Sequence, residues 1–206
     1  MFKQKIAKEE INQMPIVHFD GKITVIDDMT KVEAAIEELN KHNLVGIDTE
    51  TKPSFTKGKK NKVSLIQIST LEECFLFRLN CIDFPVALIN FLANKNIKKI
   101  GLSLRDDISG LNRLHKIKAE NIVDLQSIVS NYGILELGLQ KIFAIVFGQK
   151  ISKSQQLSNW ESEALTEAQQ RYAATDAWAC LQIYLELMNH KPLTAQEKEQ
   201  LISGNN

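Results

Sequence analysis

The chain has 206 residues, of which 44% are apolar and 24% are charged, and its formal net charge is zero. This length allows one domain with a substantial core, and the composition is ordinary for a soluble globular protein. The balanced charge gives no overall sign of a polyanion partner, although it still allows a local basic patch. The three cysteines form no CxxC pair, which argues against a disulfide framework. The N-terminus lacks the apolar centre of a signal peptide, and no apolar run approaches the ~18 residues of a membrane span, so we expect a soluble, cytoplasmic protein.

Strands and helices alternate along the predicted chain. Period-two patterns of apolar residues predict strands at 23–27, 44–50 (LVGIDTE), 63–70 (VSLIQIST), 74–79 (CFLFRL), near 98–102 and near 120–125. Helical spacing predicts helices at about 28–40, near 85–93, from about 105, in two segments of 126–147 broken around Gly133, and from Thr166 onward. Residues 148–164 are polar without a clear period and predict a surface loop. A hairpin followed by alternating helices and strands is typical of one α/β domain with a mixed sheet.

The strand LVGIDTET carries two acids on one face. Alternate strand residues face the same side, so Asp48 and Glu50 lie together, ~7 Å apart along the strand. Two neighbouring carboxylates repel each other unless something positive lies between them. The strand therefore raises the question of a positive partner.

A third acid interrupts the apolar stripe of the long C-terminal helix. The stripe runs at three- and four-residue steps through Tyr172, Asp176, Cys180, Ile183 and Leu187. An unpaired charge on a packing face is very costly, so Asp176 needs a partner. Tyr172 stands one turn before Asp176 on the same face.

The segment IGLSLRDDISGL places two further acids where a strand ends and a helix begins. Taken alone, Asp106 could be an ordinary helix cap or a first-turn acid favoured by the helix dipole. In combination with the strand pair and Asp176, the pattern indicates several acidic oxygens that converge on one point. Such a donor set suits Mg²⁺ or Mn²⁺, and two such ions ~3.5–4 Å apart can activate a water and stabilise a leaving oxygen in phosphoryl transfer.

These motifs together resemble the DEDD superfamily of 3′→5′ exonucleases, in its tyrosine-bearing branch. The resemblance rests on the motifs IDTET, GLSLRDDISGL and RYAATDAWACLQIY, and it covers about residues 23–190. The segment KSQQLSNWESEALTEAQQRYAATDA resembles the ribonuclease D group and, within it, the Werner-syndrome type of exonuclease domain. The resemblance implies a ribonuclease H-like fold with a five-stranded mixed sheet flanked by helices. It also divides the chain into an arm (1–22), the exonuclease domain (23–190) and a tail (191–206).

The resemblance carries roles onto the matching positions. Asp48, Glu50, Asp107 and Asp176 match the acids that hold two divalent cations, and Tyr172 matches a tyrosine that orients or helps deprotonate the attacking water. Asp107 matches better than Asp106, because the family's second acid precedes an apolar residue by four positions, as Asp107 precedes Leu111. The implied reaction is hydrolysis of the 3′-terminal phosphodiester of a nucleic acid, which releases nucleoside 5′-monophosphates.

Substrate contacts are predicted around these acids. Thr49 and Thr51 flank Glu50 in the acidic strand, and by the same resemblance they are expected near the terminal nucleotide. Lys59 and Lys60 could contact phosphates, the alternative being a solvated loop. Trp160 could stack on a base, the alternative being core packing.

Two other functions remain open from the sequence. A ribonuclease D-like enzyme that trims RNA is one. That enzyme usually carries extra helical domains, whereas few residues follow the third motif's helix, which favours a stand-alone exonuclease without deciding between DNA and RNA. DNA is slightly favoured as the substrate. A catalytically inactive nucleic-acid-binding module is the other, although inactive relatives usually lose an acid. In each case the expected partner is a nucleic acid, and for the enzyme it is a single-stranded 3′ end of DNA or RNA. We expect no membrane partner.

Overall fold

The computed structural model describes residues 2–54 and 61–203, and within these ranges six strands form one mixed sheet. In chain order the strands are β1 (Lys22–Ile26), β2 (Leu44–Thr51), β3 (Val63–Ser69), β4 (Glu73–Arg78), β5 (Lys98–Gly101) and β6 (Ile122–Asp124). Their spatial order is β1-β4-β3-β2-β5-β6. The β3–β4 hairpin and the mixed α/β sheet are confirmed. The expected count of five strands is wrong by one, because β1 pairs in parallel with β4 at the edge of the sheet.

Helices cover both faces of this sheet. In chain order they are α1 (Lys8–Gln13), α2 (Val32–Leu39), α3 (Leu79–Ile82), α4 (Val86–Ala93), α5 (Leu104–Asn112), α6 (Leu125–Ile128), α7 (Leu139–Phe147), α8 (Glu167–Met188) and α9 (Ala195–Ser203). One apolar cluster joins α2, α4 and α5 to one face, and two others join α7 and α8 to the opposite face. The two-sided core explains why every residue of β3 is buried.

The long helix α8 lies unusually close to the central strand β2. A Cβ atom on Gly46 would stand 1.9 Å from the backbone oxygen of Ala177, so only glycine permits this approach. Along β2, Val45 and Ile47 point into the cluster with α2 and α4. The alternating residues therefore face α8. The sequence thus places the two β2 acids on the side of the sheet that α8 covers.

The remaining local predictions have mixed outcomes. The Thr166 capping box at the start of α8 is present, and Gly133 adopts a left-handed conformation where the predicted helical region breaks. The segment 148–164 is irregular as expected, but it is not simply a surface loop, since Ile151 and Trp160 are buried. The buried guanidinium of Arg78 donates hydrogen bonds to two backbone carbonyls of this segment, which anchors it to β4. Among the described residues, no helix combines the length and hydrophobicity needed to cross a membrane.

Candidate active site and cation-binding cluster

Three carboxylates from two distant parts of the chain meet between β2 and α8. Asp48, Glu50 and Asp176 each offer one oxygen, and these oxygens lie within 4.8 Å of one another. The two-residue period of β2 places the first two acids on the same face, and the close approach at Gly46 brings α8 down onto them. The sequence prediction that these three acids converge therefore agrees with the geometry.

The cluster is electrostatically unfavourable without a cation. Removal from water raises the pKa of Asp48 well above its usual range, and the neighbouring acids add repulsion. The same two causes raise the pKa of Glu50 to about 9. Burial raises the pKa of Asp176 to about 7, although the Tyr172 hydroxyl and Lys153 partly offset this rise. A divalent cation would remove the repulsion, and a set of carboxylate oxygens is what Mg²⁺ and Mn²⁺ prefer, so the residues fit such an ion.

Asp107 lies beside the cluster rather than within the group of three. The hydroxyl of Thr49 donates a hydrogen bond to Asp107 Oδ1. Burial raises the pKa of Asp107 to about 6, whereas Asp106 is exposed. Of the two acids at the start of α5, Asp107 is therefore the one turned toward the site.

A strained turn aims α5 at the cluster. Ser103, directly before the helix, has a φ of 61°, which is uncommon for a residue with a side chain. Its backbone N–H donates to Asp124 Oδ1 at 3.1 Å, and Asp124 also caps α6. The end of β6 thus supports the turn that positions Asp107.

Tyr172 completes the group from the helix turn before Asp176. Its hydroxyl donates toward the Asp176 carboxylate, and burial together with the nearby acids raises the pKa of the phenol above its usual range. The phenol therefore stays protonated near neutral pH and acts as a hydrogen-bond donor. Its ring centroid lies 6.0 Å from that of Trp160.

The predicted substrate residues have different surroundings. Trp160 is fully buried and offers no ring face on which a base could stack, so its position fits the alternative of core packing. Thr49 is engaged with Asp107, and Thr51 is half-buried at the end of β2, where the pairing register with β3 shifts. Lys59 and Lys60 lie outside the described residues.

Two polar residues that interact with the acidic cluster were given no role by the sequence analysis. Gln67 Nε2 donates a hydrogen bond to Asp48 Oδ2 at 3.2 Å from the facing position of β3. Lys153 is exposed and close enough to lower the pKa of Asp176. Gln67 resembles an ordinary outward-facing polar residue of an alternating strand, and only its pairing register with Asp48 could have singled it out.

A cavity of about 250 Å³ opens onto these residues. Its wall includes Asp48, Tyr172 and Asp176. Both apolar and polar residues line the rest of it, namely Leu102, Gly138, Leu139, Gln140, Ile151, Ser152, Lys153, Gln156 and Cys180. A larger cavity near the start of β3 contains none of the clustered acids in its wall. The smaller one is therefore where chemistry at the cluster has room for a ligand.

Comparison with known proteins agrees with this geometry. Residues 23–191 match the family model described as 3′-5′ exonuclease. The mouse bifunctional 3′-5′ exonuclease/ATP-dependent helicase WRN is 32% identical over 196 residues, which cover 90% of this chain and 14% of the mouse protein. The present chain thus spans only a small part of that relative.

Two solved structures show the same fold. The Nibbler EXO domain of Aedes aegypti aligns with a TM-score of 0.75 at 22% identity, over 90% of this chain and 99% of the domain. The Trypanosoma brucei RNase D complex with RNA U12 aligns with a TM-score of 0.75 at 20% identity, over 90% of this chain and 70% of that one. The mixed sheet flanked by helices is accordingly a ribonuclease H-like fold. From the family match over most of its length, the chain belongs to the 3′-5′ exonuclease family.

Proposed function

We propose that this chain removes nucleotides from the 3′ end of a nucleic acid by hydrolysing the terminal phosphodiester, with release of nucleoside 5′-monophosphates. The observation that carries the proposal is the meeting of Asp48, Glu50 and Asp176 within 4.8 Å, beside a cavity and a protonated tyrosine. Family membership supports the reaction type. DNA is slightly favoured as the substrate.

Asp48, Glu50 and Asp176 would hold two divalent cations, Mg²⁺ or Mn²⁺. When bound, such cations supply activation of a water and neutralise charge on the leaving oxygen. Asp107 stands beside this group and would support it through water. Thr49 orients that carboxylate by its hydrogen bond, so its proposed contribution is to the site rather than to the nucleotide.

Tyr172 would orient the attacking water. Its phenol keeps its proton because its pKa is raised, so it donates a hydrogen bond and does not serve as the base at neutral pH. The hydrogen bond to Asp176 keeps the hydroxyl at the edge of the cluster. The position of Tyr172 thus supports the proposal that the chain belongs to the tyrosine-bearing branch.

The substrate strand would enter the cavity on the side of Lys153. A polyanion that approaches several carboxylates needs positive charge nearby, and Lys153 is the lysine in the wall of this cavity among the described residues. Thr51 at the end of β2 would extend the contact, and so would Lys59 and Lys60 by the prediction from the sequence. Contacts of this kind are independent of sequence and weaken with added salt.

The test is digestion of matched 3′-labelled and 5′-labelled DNA and RNA oligonucleotides with Mg²⁺ or Mn²⁺. We expect a ladder that shortens from the 3′ end and a faster reaction on DNA. A faster reaction on RNA would favour the alternative of an RNA-trimming enzyme. The control is Asp176→Asn, which should keep the fold and lose nearly all turnover. Equal activity in that variant, or shortening from the 5′ end, would contradict the proposal.

A further inference from the structure

The inference concerns Gln67, a residue that lies next to the acidic cluster without belonging to it. Gln67 is fully buried in β3, a strand with no exposed residue. It stands directly opposite Asp48 in the antiparallel β2–β3 pair. Residues paired in this way have neighbouring side chains on the same face of the sheet, so Gln67 also faces α8.

The hydrogen bonds of Gln67 are unevenly satisfied. Its Nε2 donates to Asp48 Oδ2 at 3.2 Å, and within the described residues no other side chain donates a hydrogen bond to Asp48. Its Oε1 is buried and has no hydrogen-bond partner in the described part of the chain. A buried amide oxygen without a partner is destabilising, and an apolar side chain of similar size would avoid that cost. The polar contact that this glutamine makes is therefore its bond to Asp48, which satisfies one oxygen of that buried carboxylate.

We infer that Gln67 is a positioning residue, which orients the Asp48 carboxylate toward Glu50 and Asp176 for cation binding. The amide holds one oxygen of Asp48 from the strand side, and its own burial keeps it from moving away. This inference rests on the proposed function, because it assumes that the three acids hold a divalent cation. Partners of ligating carboxylates typically change metal affinity by 10–100-fold when they are removed.

The test measures cation binding without any nucleic acid. Isothermal titration of the full chain with Mn²⁺ gives an affinity for the unaltered protein, for Gln67→Met and for Gln67→Asn. Methionine has a similar size without the amide, and asparagine keeps the amide but withdraws it by one methylene. We expect both variants to bind Mn²⁺ about 10–100-fold more weakly. Circular dichroism without metal checks that both variants keep the fold, because Gln67→Met removes the orphaned Oε1 but also leaves Asp48 Oδ2 without this donor.

The matched control is Ser69→Ala, two residues further along the same face of β3. Ser69 is also fully buried, and its hydroxyl donates to the Thr70 carbonyl rather than to an acid. This variant should bind Mn²⁺ like the unaltered chain. If Gln67→Met and Gln67→Asn both bind Mn²⁺ as tightly as the unaltered chain does, the inference is overturned and the proposed function stays intact. Absence of Mn²⁺ binding by the unaltered chain would instead overturn the cation site, and the role of Gln67 with it.

Discussion

Replacing Glu50 with glutamine should stabilise the cation-free protein at alkaline pH. The folded-state pKa of Glu50 is about 9 against an ordinary 4.5, mainly because of burial and secondarily because Asp176 and Asp107 are negative. Between these two pKa values the folded chain binds more protons at this group than the unfolded chain does. The stability of the cation-free protein therefore falls as pH rises through this window. Glutamine has nearly the same shape and does not titrate, so it removes this loss.

The size of the effect follows from the width of the window. One titrating group inside its window changes the free energy of unfolding by about 1.4 kcal/mol per pH unit. Between pH 6 and pH 8, Glu50 alone therefore costs the unaltered protein about 3 kcal/mol, out of a total stability of about 5–15 kcal/mol for a typical domain. For a chain of this size, that difference corresponds to roughly 6–12 °C in melting temperature.

Urea unfolding at pH 6, 7 and 8 with a chelator, followed by tryptophan fluorescence, measures this difference directly. The advantage of Glu50→Gln over the unaltered chain should grow from pH 6 to pH 8. Saturating Mn²⁺ at pH 8 should reverse the order, since the unaltered chain gains more from binding the cation. A cation-free stability that stays level or rises from pH 6 to pH 8, or a Glu50→Gln variant that is no more stable at pH 8, would refute the reasoning.

Three further substitutions test other contacts of the site. Gly46→Ala should lower the free energy of unfolding by about 1–3 kcal/mol in urea titrations and sharply reduce nuclease activity, because the added methyl group forces α8 away from β2. Gly138→Ala, where a Cβ meets nothing within 4 Å, is the control for stability and should leave the free energy of unfolding nearly unchanged. Thr49→Val should reduce turnover with little change in the affinity for an oligonucleotide, because it removes the hydrogen bond that holds the Asp107 carboxylate. Thr49→Ser keeps the hydroxyl and should restore turnover. A Thr49→Val enzyme with normal turnover would show that this hydrogen bond is dispensable. Trp160→Phe should lower the melting temperature without altering oligonucleotide affinity measured by fluorescence anisotropy, because the ring is fully buried; a loss of affinity in a well-folded variant would return Trp160 to the substrate site.

The acids of the site could be predicted because each breaks a simple local pattern. The two-residue period of LVGIDTET places Asp48 and Glu50 on one face, and the helical period places Asp176 on an otherwise apolar stripe. Burial of a charge on a packing face is so costly that it signals a partner even without a structure. The capping box at Thr166 similarly fixed the start of α8 from local hydrogen bonding alone.

The features that could not be predicted depend on contacts between distant segments. Strand β1 joins the sheet through pairing with β4, about fifty residues away, which its own sequence does not specify. In the sequence, Trp160 is surrounded by polar residues. Its burial depends on the packing of its segment against α8 and β4. The engagement of Thr49 with Asp107 and the register of Gln67 opposite Asp48 likewise depend on how α5 and β3 dock on β2.

The most direct test of the central claim is release of the 3′-terminal nucleotide from a 3′-labelled oligonucleotide in Mn²⁺ by the unaltered chain and by Asp48→Asn, both confirmed as folded by circular dichroism. Asp48 is the acid that the other carboxylates and Gln67 surround. The unaltered chain should release the labelled nucleoside 5′-monophosphate, and the variant should release none. Release at equal rates by both proteins, or a labelled product other than the 5′-monophosphate, would contradict the account.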